Sequence, residues 1–172
     1  MFLVNNSFYL LEQFSKSSSA PLLNSDNDEK YSIENSVWFK EKVGSVYKTQ
    51  KDIYLAHWDI LRSRLTSVEK NDLVYQKDKL LSLESGRLIK SRFSTFIDDF
   101  EELYQIHRPL KVIDDKLRVT LQRDVGNVFL THYTEFFEKY AKIQFSKKNQ
   151  ESYLKYPPMR VQSLIDDLYE IL

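Results

Sequence analysis

The chain has 172 residues, of which 42% are hydrophobic and 14% aromatic, and its 25 basic and 25 acidic side chains cancel. That length suits one helical domain or two small ones packed end to end, the apolar content argues against disorder throughout, and zero net charge leaves nucleic acid neither favoured nor disfavoured. No cysteine is present, which excludes disulfides, thiolate nucleophiles and Cys-based zinc sites and fits a reducing cytosol, while three Gly and four Pro are too few to punctuate a many-stranded sheet.

The opening residues, Met1 to Asn6, carry no basic segment and no long apolar core, so they make a poor signal peptide. No run approaches the roughly eighteen apolar residues of a membrane span, so membrane contact is expected to be peripheral. Residues 1–14 carry Phe2, Leu3, Phe8, Leu10, Leu11 and Phe14 and read as a short apolar helix. Ser15 to Glu29, rich in Ser, Asn and Asp, reads as a mobile, solvated linker.

From Tyr31 to about Leu65 apolar residues recur at helical steps, at Ile33, Val37, Val43, Tyr47, Ile53, Tyr54, His57, Leu61 and Leu65, with Trp38 and Trp58 broadening the same face. Val68 to Asp78 is charged and reads as a turn or a helix entry. The clearest helix runs from about Leu80 to His107, where Ile89, Phe93, Phe96, Ile97, Phe100, Leu103 and Tyr104 form one stripe and Pro109 stops it. Asp114 and Asp115 then suit the start of a helix that carries Leu117, Leu121, Val125, Val128, His132, Phe136, Tyr140 and Ile143 on one side. Gly126, in its middle, marks a bend or a close approach. Pro157-Pro158 opens the last helix, with Val161, Leu164, Ile165, Leu168 and Leu172 inward and Asp166, Asp167 and Glu170 outward. The fold class is all-α, a succession of antiparallel helices.

Chemistry is sparse along this chain. His57 and His132 fall on apolar helix faces and His107 at a helix end, and no pair of them has the spacing of metal ligands on one face. Packing or helix-dipole roles account for all three. The pairs Asp98-Asp99, Glu101-Glu102, Asp114-Asp115 and Asp166-Asp167 diverge on their helices and read as solvated faces or N-terminal charges. No phosphate loop, nucleophile elbow or EF-hand loop can be assembled from three glycines so placed, and the chain does not read as an enzyme.

One charge asymmetry stands out. Lys139, Lys142, Lys147, Lys148, Lys155 and Arg160 lie in a stretch with a single acid, Glu151, and with Tyr140, Phe145, Tyr153 and Tyr156 interleaved. Each Lys near an anionic leaflet gains about 1 kcal/mol, so five or six could hold a protein peripherally. The same stretch also reads, and on composition alone more commonly, as a solvated loop over core aromatics. Arg87, Lys90 and Arg92 form a second basic group ahead of the phenylalanine stripe, ordinarily a solvated helix face. Long polyanions suit neither group, given the acids nearby.

The residues from Ser91 to Leu103 (SRFSTFIDDFEEL) resemble the "RF..FN..FEEL" helix of the exocyst's seventy-kilodalton subunit family. Val112 to Arg118 (VIDDKLR) is similar to its "V.D..LR" helix entry, and Val128 to Tyr140 (VFLTHYTEFFEKY) to its "Y..F..RY" helix. Tyr153 to Pro157 (YLKYP) resembles the "YIKY(S/T)P" tail, and Ile165 to Tyr169 the closing "L..LF". Five signals in the family's order are more specific than any one. Phe2 to Asn6 resembles "FL.NN" and Trp38 to Leu65 the "W...Y..SW..L...L" helices, more loosely.

The resemblance implies antiparallel helical bundles stacked end to end, with this chain as the C-terminal part of an elongated rod. Residues 1–79 are then a partial penultimate bundle and 80–172 the C-terminal bundle. A chain starting at Met1 without the upstream helices is a fragment or a shortened gene product, with apolar area exposed at its N-terminal surface. The family tethers secretory vesicles to the plasma membrane in exocytosis, and its members bind phosphatidylinositol 4,5-bisphosphate, Rho-family GTPases and other exocyst subunits. Localisation is expected to be cytoplasmic, peripheral at the inner face of the plasma membrane at sites of polarised secretion, with no cofactor. Carried over by position, Lys155 matches a lipid-binding lysine of the tail, and Lys90 and Arg92 the basic residues of "KERF", while Lys147 and Lys148 add charge nearby. The alternative implied function is a helical scaffold that binds exocyst subunits or a Rho-family GTPase without lipid. Departures are Ser152 for a second tail lysine, Ser91 for the glutamate of "KERF", Gln150 for a common proline, and a helix centre at Val125-Gly126-Asn127 without its frequent proline. Ser152 weakens the lipid reading most.

Overall fold

A computed structural model describes residues 1–17, 26–66, 74–75, 81–146 and 148–170. Most of the expected linker (18–25), most of the expected turn (67–73 and 76–80), Lys147 and Leu172 lie outside the described residues. The described elements are helices α1 (Phe2–Ser17), α2 (Asp26–Ala56), α3 (Asp59–Thr66), α4 (Leu83–His107), α5 (Asp115–Tyr140), the short α6 (Gln150–Tyr153) and α7 (Pro158–Asp166). Of the stretch read as a linker, Ser15 to Glu29, residues 15–17 lie in α1 and residues 26–29 in α2.

Helices α1 and α2 form an antiparallel pair. Phe14 stacks on Phe39 at 4.6 Å between ring centroids, and Phe8 lies 5.7 Å from Tyr47. The apolar spacing read along one helix face from Tyr31 to about Leu65 is divided, because α2 stops at Ala56. A turn closed by His57 N–H to Tyr54 C=O and Trp58 N–H to Leu55 C=O starts α3 on a new axis. That break drives Trp58 inward, to 0% exposure, with Leu61 and Leu65 beside it. Trp38, which the periodicity placed on the same face, is 60% exposed. One turn therefore decides which of the two indoles is core. Arg64 Nε, on α3, donates to Asp99 of α4 at 2.8 Å.

Helices α4 and α5 carry the centre of the core. Ser82 caps α4, its hydroxyl accepting from Ser85 N–H at 3.2 Å, and Asp114 caps α5, accepting from Leu117 N–H at 2.9 Å. Phe93 meets Phe136, Phe96 meets Tyr133 and Phe100 meets Phe129, at 4.8, 3.9 and 6.2 Å between centroids. Numbers rise on one helix as they fall on the other, which is an antiparallel register. All six rings are buried. Helix α7 closes the bundle with Val161, Leu164 and Ile165, followed by Leu168 and Tyr169, against α5. Gln122 on α5 donates to the carbonyls of Asp166 at 2.6 Å and Leu168 at 2.9 Å, and Tyr133 OH donates to the Tyr156 carbonyl at 2.5 Å.

Two of the three histidines depart from their expected places, while His107 ends α4 as expected. His57 and His132 are exposed, because the turn at 57 and the angular position of 132 on α5 point them away from the core. His107, expected at a helix end, is only 4% exposed and sits edge-on to Tyr54 at 5.1 Å and against Trp58 at 5.0 Å. Burial, with the nearby His57 adding to it, lowers its pKa to about 4, and its Nδ1 is buried without a partner. The folded state thus holds His107 neutral while the unfolded chain takes up a proton near pH 6.5. Stability is expected to fall as pH drops through the window from about 6.5 to about 4, by on the order of 1–3 kcal/mol. Urea midpoints across that window check this, and His107→Phe should flatten the dependence.

Gly126 is not the close approach its position suggested. A Cβ there would meet only the Gln162 side-chain oxygen, at 3.9 Å. The tight glycine is Gly86, where a Cβ would stand 3.0 Å from the Phe145 carbonyl oxygen. Gly126→Ala is expected to stabilise by about 0.5–1 kcal/mol through helix propensity, whereas Gly86→Ala destabilises despite the same propensity gain. Denaturant midpoints of the two variants moving in opposite directions is the outcome to look for.

Candidate functional site

Where α5 ends, the chain folds back across the start of α4. Ala141 N–H closes on Phe137 C=O, and Ile143 and Phe145 N–H donate to Tyr140 and Ile143 carbonyls. Phe145 then enters the core, stacked on Phe93 at 5.3 Å and edge-on to Tyr153 at 6.0 Å. Gln150 fastens this crossing. Its Nε2 donates to the carbonyls of Ile143 at 3.1 Å and Ala141 at 3.4 Å, and its Oε1 accepts from Ser146 N–H at 3.3 Å. A proline in its place could make none of these side-chain bonds, so Gln150 has a structural use here. Ser146 Oγ donates to the Lys148 carbonyl at 2.5 Å, and Asn149 takes a left-handed φ of 56° that leads into α6. Lys148 is therefore presented by a backbone held on both sides.

Because Gly86 has no side chain, the crossing strand sits directly on α4. Between the two lies an open cleft of about 760 Å³. Leu83, Gly86, Arg87 and Lys90 line it from α4, and Phe145 and Lys148 from the crossing. Arg87 and Lys90 are three residues apart on α4 and share a face. Among the described residues lining the cleft there is no carboxylate, and none of the three cations is held in an ion pair with a described residue. Three positive charges on a concave wall attract a compact, multiply charged anion.

The five residues expected at the site do not all meet there. Lys90 and Lys148 do, and Lys147 lies outside the described residues. Arg92 is two residues beyond Lys90, so it projects about 200° around the helix. It is half-buried, with its Nε shielded and without a hydrogen-bond partner. Lys155 is drawn elsewhere. Its Nζ donates to Glu101 Oε1 at 2.5 Å, and Tyr156 OH donates to the same oxygen at 2.7 Å. The Lys155 ammonium also lies 5.0 Å from the centroid of the Tyr156 ring. These hydrogen bonds, from Lys155 first, hold the Glu101 carboxyl below its usual range, and Glu101 raises Lys155 above its own. Arg87 was visible in the sequence only as part of an ordinary basic face, and nothing in its local pattern joined it to Lys148, sixty-one residues on.

Among the described residues, no three His, Asp or Glu side chains gather as a metal site, and no helix is long and apolar enough to cross a membrane. Replacing Glu101 by Gln is expected to lower the Lys155 titration toward that of an ordinary lysine. NMR detection of its side-chain carbon against pH reads this directly, and an unchanged titration would mean the pair does not persist in solution.

The family model for the C-terminal region of Exo70, a member of the exocyst complex, matches residues 1–167. Exocyst complex component 7 of Homo sapiens is 28% identical over 170 residues, covering 99% of this chain and 22% of that protein. Exocyst complex component 7 of Drosophila melanogaster is 32% identical over 104 residues, covering 56% of this chain and 15% of its length. Among solved structures, S. cerevisiae Exo70 superposes with a TM-score of 0.62 at 20% identity, over 95% of this chain and 28% of that one. The all-α architecture is thus shared with Exo70 structures, and this chain spans about a quarter of their length.

Proposed function

The chain belongs to the Exo70 family of exocyst subunits, and on that premise we propose that it is the C-terminal portion of a subunit that tethers secretory vesicles to the plasma membrane, binding phosphatidylinositol 4,5-bisphosphate of the inner leaflet through basic residues. On this reading the protein is cytoplasmic and peripheral, acts with other exocyst subunits, and performs no catalysis. On the same reading residues 80–172 make the C-terminal bundle and 1–79 belong to the bundle before it, with Trp58, Leu61 and Leu65 packed into a core that the two share.

The observation that carries the proposal is the meeting of Arg87, Lys90 and Lys148 in one open cleft. A polyphosphorylated inositol ring presents several charges in a small volume, which a concave triad on two backbone segments meets better than a row of lysines along one helix. Each cation near an anionic leaflet adds about 1 kcal/mol. Lys155 is already partnered by Glu101 and stands outside the cleft, so its part is smaller. Arg92, half-buried, is a supporting residue at most.

A second reading, a protein-interaction scaffold for exocyst subunits or a Rho-family GTPase, draws on the exposed apolar side chains of α1 and α2, among them Phe2, Tyr9, Val37 and Trp38. Cosedimentation with liposomes containing phosphatidylinositol 4,5-bisphosphate separates the two. Lys90→Glu with Lys148→Glu is expected to weaken binding about ten-fold or more, and Lys155→Glu by less. Equal binding by the double variant would refute the cleft assignment. A wild-type chain that ignores such liposomes and is captured by a nucleotide-loaded GTPase would favour the scaffold.

A further inference from the structure

We propose that the rim of the basic cleft is a bilayer-inserting tip, formed by Val74, Tyr75 and Leu83, which enters the acyl boundary while the cleft holds a lipid headgroup. The proposal rests on the lipid reading above and adds a second, apolar mode of attachment to it.

The three side chains are 61%, 49% and 69% exposed. Scattered exposed apolar residues need no explanation, but these three are not scattered. Val74 N–H donates to Ser85 Oγ at 2.8 Å, Ser82 N–H donates to the Val74 carbonyl at 2.9 Å, and Tyr75 pairs with Leu81 in an antiparallel bridge. Residues 74 and 75 are thereby fixed alongside the segment that leads into α4. That segment is also one wall of the cleft, since Leu81, Ser82 and Leu83 line it with Arg87 and Lys90. Ser85, which receives the Val74 bond, is one residue from Gly86, where the crossing strand is seated.

An apolar rim hydrogen-bonded to the segment that leads into α4, beside the cations of the cleft, fits a surface that is anionic outside and apolar beneath. An inner leaflet is such a surface. A protein partner would have to offer carboxylates or phosphates next to an apolar patch in the same spacing, whereas a bilayer offers both everywhere. Tyr75 adds a ring with a polar tip, the kind of side chain that settles at the headgroup level. The α4 N-terminus also points its first-turn N–H groups toward this end of the helix, which favours anions there.

The test is cosedimentation of the full chain with phosphatidylcholine vesicles containing phosphatidylinositol 4,5-bisphosphate, at low salt and at about 1 M NaCl, where the Debye length falls to about 3 Å. The wild-type chain is expected to keep a salt-resistant bound fraction. Val74→Ser with Leu83→Ser should bind at low salt but lose that fraction about ten-fold or more. It should also raise the surface pressure of a lipid monolayer less than the wild type does. Wild-type binding fully released by salt, or a salt-resistant fraction unchanged in the variant, would overturn insertion and leave headgroup binding standing. No wild-type binding at low salt would overturn both. Both substituted side chains are exposed, so an unchanged thermal melt is the folding control. A lowered melt would call for Val74→Thr with Leu83→Gln, read against the same outcomes.

Discussion

The aromatic seam between α4 and α5 is the constraint from which the rest of the bundle follows. Three phenylalanines on α4 meet Phe129, Tyr133 and Phe136 on α5 in one antiparallel register, with the Phe96 and Tyr133 rings stacked at 3.9 Å. Each such pair contributes about 0.5–1.5 kcal/mol beyond its buried area, and together they fix the rotation of both helices. Other partners are added to that frame. Trp58 reaches it from the turn before α3 by lying parallel to Phe129, and Phe145 reaches it from the crossing segment by stacking on Phe93. Tyr133 then uses its hydroxyl to hold the carbonyl of Tyr156, which brings the last helix in. Burial pushes the Tyr133 hydroxyl well above the ordinary tyrosine range, so it remains a donor.

The same frame separates the basic residues into different duties. Helical angle places Arg87 and Lys90 together and turns Arg92 away. The seating of Phe145 on Gly86 brings Lys148 over the first two. Glu101, one residue past Phe100 on α4, takes Lys155 and Tyr156 together, so that a tail lysine helps tie the tail to α4. Basic residues that look equivalent by composition are thus a concave triad, a half-buried side chain and a surface tie. Their separation is a property of the packing, since each sits on a segment that the aromatic seam positions.

Much of this fold was legible in the sequence because helical periodicity is local. The stripe from Ile89 to Phe100, the Asp114 cap and the Pro158 start all follow from residues within a few turns of one another. The break at His57-Trp58 was not legible. No proline or glycine marks it, and the apolar spacing continues across it; the burial of Trp58 in a core built from distant residues is what selects the turn. The cleft was legible in parts. Lys90 and Lys148 were both singled out, but their meeting depends on Gly86, whose role is a contact with a carbonyl fifty-nine residues later. Gln150 illustrates the same limit. As a departure from a family pattern it reads as a loss, yet its amide makes three bonds that hold the cleft's far wall.

Tyr54 and Tyr169 close the core through a hydrogen bond between their buried hydroxyls, and Tyr169 accepts a left-handed φ of 67° to reach that place. Its carbonyl receives Val112 N–H as well, so a single residue near the end of the chain joins the end of α2 to the approach to α5. These partners are 115 residues apart in the first case. During synthesis, domains assemble as the chain emerges, at roughly 5–20 residues per second. Tyr54 leaves the ribosome many seconds before the hydroxyl that will meet it. Over that interval Tyr54 and Trp58 wait without their cover, and the nascent chain is most open to chaperone capture or misassociation there, at side chains that the folded protein buries.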